Sequence, residues 1–300
     1  MNQLKLIALY YYICECYDTE LCWICQRFSP NTSLKFSDQE CLCIYLYAMM
    51  EEEKFQIKSI HRYADRYLRS WFPTLPSYQA FNARINRLSV VLPFLLKSLL
   101  MDQVCDEIDQ RISLIDSMPI MTCSGRRKGK VASEWTDKGY CSTKKQHYYG
   151  LKLHAMAFDV PSKLPFPEWI WLSPASEHDL TAVEDKLADI HDRAIYADKA
   201  YIKAHWSREL KDQQNISIFT PVKLKKGQTQ WERTFNKAAD KVYSRAVSAV
   251  RQPIEALFAW LIEITDIQRA SKVRSTKGLM AHVFGRLAAA WARKVPKINP

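Results

Sequence analysis

Ile112-Ser113-Leu114-Ile115-Asp116-Ser117-Met118-Pro119 is the stretch on which the fold turns. Its first four residues have the apolar, β-branched character of a short strand. A carboxylate follows where that strand leaves its sheet. A second segment ends the same way, with Arg193-Ala194-Ile195-Tyr196-Ala197 running into Asp198. A charge that terminates an apolar strand is costly to pack unless it faces solvent, an arginine or a metal. Taken singly, each aspartate has an ordinary use as the cap of the next loop or helix. Taken as a pair on neighbouring strands, they suit a hard cation, because magnesium accepts oxygen from one or two carboxylates plus phosphate.

Working outward, residues 150–158 alternate as a strand, with Leu151, Leu153, Ala155 and Ala157 on one side. Residues 169–172 form a strand apolar on both faces, and residues 216–220 form another, stopped by Pro221. Residues 181–189 are helical, and from about Trp231 the pattern is helical almost to Lys294. Strands, then alternation, then helices predict an α/β sheet covered by helices. Ahead of it the texture is helical. Ser37-Asp38-Gln39-Glu40 is a capping box, followed by Cys41, Ile44, Tyr45 and Ala48 at helical spacing. Ile57, Ile60, His61, Ala64 and Leu68 continue the period until Phe72-Pro73 and Leu75-Pro76 break it. Ser77 opens a long helical stretch to about Val104, with Pro93 as a kink. The expected organisation is an all-α N-terminal domain, residues 1–108, and an α/β domain, residues 109–300.

The composition supports a globular chain: 300 residues, 48% hydrophobic and 25% charged. Forty-three lysines and arginines against 32 acids give a net charge of +11. The excess lies in residues 111–300, at net +13, against −2 for residues 1–110. A basic second half points to a polyanion, most simply nucleic acid. No apolar run is long enough to span a membrane. Leu6 to Cys14 follows Lys5 without a small-x-small cleavage site, so no signal peptide is expected and the cytoplasm is the expected compartment. The nine cysteines include Cys14-x-Cys16, Cys22-x-x-Cys25 and Cys41-x-Cys43. Each group sits in an apolar helical run without the turn of a zinc knuckle, so packing is favoured over zinc.

A third acid is Glu255, four residues after Arg251 and beside the apolar stripe Ile254, Leu257, Phe258 and Leu261. The pair reads equally as a surface ion pair and as a carboxylate that a helix aims at strand ends.

The ordered set of motifs resembles DDE transposases of bacterial insertion sequences, most closely the IS982 family. It comprises Ile115-Asp116-Ser117-Met118-Pro119, Gly139-Tyr140-Cys141 and Tyr149-Gly150-Leu151-Lys152-Leu153-His154. It continues with Ser173-Pro174-Ala175-Ser176-Glu177-His178-Asp179, Tyr196-Ala197-Asp198-Lys199-Ala200-Tyr201, Thr220-Pro221-Val222-Lys223 and Ile254-Glu255. The resemblance implies an RNase H-like mixed sheet flanked by helices and a catalytic, metal-binding triad of Asp116, Asp198 and Glu255. It implies two Mg2+ ions, replaceable by Mn2+, with Asp116 bridging both, and DNA cleavage followed by transfer of 3′-hydroxyl ends to target DNA. It departs from the wider signature at Ser248 and Ile262, where a tyrosine and a lysine are usual, and at Ala256 and Ala259, where polar residues are usual.

The implied partners are double-stranded DNA, as element ends and as target, and a second copy of the chain, since two ends must be brought together. The implied setting is the bacterial cytoplasm at the nucleoid. The residues expected on DNA are Arg126, Arg127, Lys128, Lys130, Lys144, Lys145, Lys152, Lys223, Lys225, Lys226 and Arg251, with Lys272, Arg274 and Lys277 beyond the glutamate helix. The N-terminal helices are expected to recognise element ends or to dimerise. His154 reads equally as a packed strand histidine and as a site residue, and His178-Asp179 either starts the following helix or touches substrate. An RNase H-like nuclease without strand transfer, and a DNA-binding relic, are the competing readings.

Overall fold

A computed structural model describes residues 2–25, 34–104, 108–126, 129–201, 203–223, 230–235 and 237–299. Its helices and strands follow in chain order. They are α1 (Gln3–Cys16), α2 (Cys22–Ile24), α3 (Asp38–Glu52), α4 (Ile57–Tyr67), α5 (Tyr78–Arg87) and α6 (Leu92–Met101). Then come β1 (Ile112–Ser124), β2 (Asp137–Cys141), β3 (Gln146–Phe158), β4 (Phe166–Pro174), α7 (Asp179–Glu184) and β5 (Ala194–Tyr196). The rest are α8 (Ala204–Gln214), β6 (Ser217–Phe219), α9 (Gln230–Phe235), α10 (Lys237–Thr265) and α11 (Thr276–Ala292). They form two compact units, one of Met1–Val104, Lys130–Trp135 and Leu261–Pro300, the other of Cys105–Gly129 and Thr136–Trp260.

The first unit is helical. The capping box forms as its sequence requires: Ser37 Oγ accepts from the Glu40 N–H, and Glu40 Oε2 accepts from the Ser37 N–H. Helix α3 is buried on every side from Cys41 to Met50, and α11 is buried continuously from Ala281 to Ala292. A helix apolar all round belongs in a core. Cys41 and Cys43 pack there as small hydrophobes. The two helices meet closely, because a Cβ on Gly285 would stand 2.5 Å from Cε1 of Tyr45. The Tyr45 hydroxyl donates to the Ala281 carbonyl at 3.1 Å.

Where one long helix was expected over 77–104, α5 ends at Arg87, a 3-10 turn covers Leu88–Val90, and Pro93 lies in the first turn of α6. Proline is tolerated there because first-turn N–H groups have no intrahelical partner. The helical run expected from 231 to 294 also breaks. Asp266 adopts a left-handed conformation, φ 50°, and α11 starts afresh from the Ser275 cap.

The second unit is a six-stranded mixed sheet in the order β2-β3-β1-β5-β6, with β4 also on β3. β3 pairs antiparallel with β1, β2 and β4, whereas β1, β5 and β6 run parallel. Both β2 and β4 lie on the same edge of β3, which is long enough to carry β2 on its first residues and β4 on its last. Gly150 is the point of closest approach to β1, since a Cβ there would meet the Ile120 carbonyl oxygen at 1.9 Å.

Side chains alternate across a sheet, so Ile115 and Asp116 face opposite ways. Ile115 packs in a core with Met156, Val183, Leu187, Ile195 and Leu210, under α7 and α8. On the other face Asp116 meets Arg251 of α10, a helix whose Val247, Ile254, Leu257 and Phe258 are buried. Four strands joined antiparallel, β1 to β4, continuing through β1 into the parallel strands β5 and β6, with helices on both faces, make the RNase H-like arrangement expected from the sequence.

Candidate active site

The register of the parallel strands sets two of the acids level. Leu114 on β1 is paired with Tyr196 on β5. Asp116 lies two residues beyond the first and Asp198 two beyond the second, so both emerge at the same height. Asp198 is exposed and leads into the short turn Lys199–Tyr201, where its carbonyl accepts from the Tyr201 N–H at 3.0 Å. Asp116 is far less accessible, with 21% of its side chain exposed.

Glu255 arrives from α10. One turn earlier, Arg251 reaches both carboxylates: Nη1 donates to Asp116 Oδ2 at 2.6 Å, and Nη2 donates to Glu255 Oε1. The guanidinium is well buried and Glu255 is half exposed. The other oxygen of Asp116, Oδ1, accepts from the Ser117 N–H at 2.8 Å. Burial pushes the Asp116 carboxyl up to about 6. Arg251 and the Ser117 N–H oppose that rise, while Asp198 and Glu255 add to it. The three acids therefore feel one another electrostatically.

The three carboxylates are hard oxygen donors, the type that magnesium or manganese accepts. Among the described residues, however, no three His, Cys, Asp or Glu side chains stand close enough to form a ready cage. Arg251 pairs with two of the three acids, Asp116 and Glu255.

A second polar group lies on the reverse face, where Ser117 projects. Ser117 Oγ donates to Asp179 Oδ1 at 3.1 Å, and Lys152 Nζ lies 3.0 Å from the same oxygen and 2.7 Å from the Glu177 carbonyl. Tyr201 is buried beside them, with its hydroxyl on the Ser117 side chain. The hydroxyl's pKa is raised by burial first, then by Asp179, Asp116 and Asp198. The sequence reading gave no role to Ser117 or Tyr201, and placed Asp179 at the start of a helix, where it does begin α7. The signal available was their place, one to three residues from the acids or inside the same quoted motifs. His178 caps α7, its Nδ1 accepting from the Leu180 N–H at 3.2 Å. His154 is buried, stacked on Trp171 at 5.1 Å, with Nε2 2.8 Å from Ser173 Oγ.

Of the basic residues, Arg126, Lys130, Lys144, Lys145 and Lys223 are exposed, with Lys144 and Lys145 in the β2–β3 turn. Lys152 and Arg251 are turned to carboxylates. Arg127, Lys128, Lys225 and Lys226 lie outside the described residues.

The chain matches the family described as "Transposase DDE domain" over residues 107–291. No protein of curated function matches it. Among solved structures it is similar to a pre-cleavage Mos1 transpososome, at 13% identity over 92% of this chain and 82% of that one, with a TM-score of 0.23. With the match spanning the whole sheet, both aspartates and the glutamate helix, the chain belongs to the transposase DDE domain family.

Proposed function

We propose that the chain is the transposase of a bacterial insertion sequence of the IS982 kind. It cuts phosphodiester bonds at the element ends and transfers the freed 3′-hydroxyls to target DNA. The observation that carries this reading is the level register of Asp116 and Asp198, with Glu255 tied to Asp116 through Arg251.

In this reading Asp116, Asp198 and Glu255 hold two magnesium ions, for which manganese substitutes. Bound there, the ions would supply an activated attacking oxygen and a stabilised leaving oxygen. The residues of the chain do the rest. The Ser117 N–H fixes one oxygen of Asp116 so that the other is presented away from the strand. Arg251 holds Asp116 and Glu255 together, and its guanidinium is the nearest cation to the acids that could also contact a phosphate. Arg126, Lys144, Lys145 and Lys223 are exposed and hold the duplex through its phosphates. Water attacks first and leaves a 3′-hydroxyl, which then attacks the target strand, with no covalent protein intermediate. Two ends must meet, so a homodimer on DNA is the working unit.

The test is a labelled duplex carrying the ends that flank the gene, incubated with the full chain and magnesium. Nicked ends plus joined product, both lost in Asp116→Asn and Glu255→Gln, support the proposal. Nicking with no joined product makes the chain a nuclease, and no metal-dependent product makes it a DNA-binding relic.

A further inference from the structure

The helical unit contains a cleft of about 820 Å³ that the carboxylate site does not use. It is lined by the end of α3, the start of α4, one face of α5, the segment between α10 and α11, and the start of α11. Its charge is lopsided. Lys54, Lys58, Arg269, Lys272, Arg274 and Arg286 line it against only Glu53 and Asp266.

The six cations divide by structure. Arg286 is buried and spends its donors on the Thr265, Asp266 and Phe55 carbonyls, at 2.5, 2.6 and 3.3 Å. It therefore closes the end of α10 and makes a rigid floor. The other five are exposed. Among the described residues, Lys54, Lys58, Lys272 and Arg274 pair with no carboxylate, Arg274 donating through Nη1 to the Ser271 and Val273 carbonyls, and Arg269 approaches Asp266 only at 4.0 Å. Neutral polar side chains, Ser59, Asn82 and Asn86, complete the wall.

Helix α4 opens at this cleft, and its N-cap, Gln56, makes no side-chain hydrogen bond. The first-turn N–H groups thus add to the positive field. His282, on the floor, contributes no charge near neutrality, since burial first and then Arg286 lower its pKa to about 3.

We propose that this cleft is a second DNA site, which grips the phosphate backbone of a duplex by Lys54, Lys58, Lys272 and Arg274. The inference rests on the reading of the chain as a DNA enzyme. Arg286 is held by backbone carbonyls, while the four cations of the lining are exposed and so open to phosphates. Lysines and neutral amides suit backbone contact rather than base reading, so the grip is independent of sequence. This assigns to the helical unit, whose N-terminal residues are nearly neutral overall, a concentrated point of attachment for DNA.

The test uses the full chain and a fluorescent duplex of arbitrary sequence, without divalent metal, titrated across a range of salt. Lys58→Ala/Lys272→Ala removes two exposed cations of the cleft. Lys35→Ala/Lys97→Ala removes two exposed cations of the same unit outside it. Each phosphate contact contributes about 0.9 to the slope of log affinity against log salt, so the cleft pair is expected to lower the slope by about 2 and the affinity about tenfold. The control pair is expected to change both much less. If the parent binds duplex and the two double variants behave alike, the inference is overturned and the transposase reading stands. If the parent does not bind duplex, both fall. If inorganic phosphate or a mononucleotide stabilises the chain through Lys58 and Lys272 while duplex affinity ignores them, the cleft is a small-anion site and the inference is overturned.

Discussion

Arg251 and Asp116 are joined by a 2.6 Å ion pair across 135 positions of sequence. The same guanidinium holds Glu255, so one cation ties the helix acid to the strand acid. Breaking a largely buried pair leaves the surviving charge without compensation.

Arg251→Ala is therefore expected to destabilise the metal-free chain by roughly 2–3 kcal/mol. Saturating magnesium should restore most of that, because a divalent cation can take over the neutralising role. Urea unfolding of parent and variant, with and without magnesium, checks this. A variant as stable as the parent without metal would show that the pair contributes nothing.

The Asp116 carboxyl, raised to about 6 by burial, sets a pH dependence. An acid whose pKa is raised by folding keeps its proton longer in the folded state. The metal-free chain thus gains stability from this group at low pH, and loses it as pH rises through about 6. Metal binding needs the carboxylate, so magnesium affinity should fall about tenfold per pH unit below that point and level off above it. Calorimetric titration at several pH values measures this directly.

Gly285→Ala is expected to cost about 1–2 kcal/mol, although alanine is the better helix former. The new methyl would stand 2.5 Å from the ring of Tyr45, which is held by its bond to the Ala281 carbonyl. Adding Tyr45→Leu to Gly285→Ala should shrink the penalty relative to Tyr45→Leu alone. Thermal unfolding of the four chains gives the coupling.

The first half of β1 and the strand before Asp198 were legible because an apolar run meets a charge, but β1 does not leave the sheet at Asp116 as expected and runs on to Ser124 along β3. That second half of β1 was not legible, since Pro119 reads as an exit from the sheet. It is accommodated because β5 pairs with β1 only as far as Leu114, leaving that side of β1 open to a residue without an N–H. β2 was hidden too. Its Asp137-Lys138-Gly139 start has little strand propensity, and β3 imposes the conformation by pairing. The one-turn spacing of Arg251 and Glu255 was readable, whereas the reach of Arg251 to Asp116 is a tertiary contact that no local spacing encodes. The cleft of the helical unit was hidden for the same reason. Lys54 and Lys272 come together only when α10 and α11 separate at Asp266, where the periodicity read as one helix.

The measurement that bears most directly on the central claim is manganese binding by electron paramagnetic resonance, on the parent and on Asp116→Asn, Asp198→Asn and Glu255→Gln. If the three acids form one cation site, the parent binds manganese and each variant loses at least about tenfold in affinity. Equal binding by the parent and all three variants would contradict it.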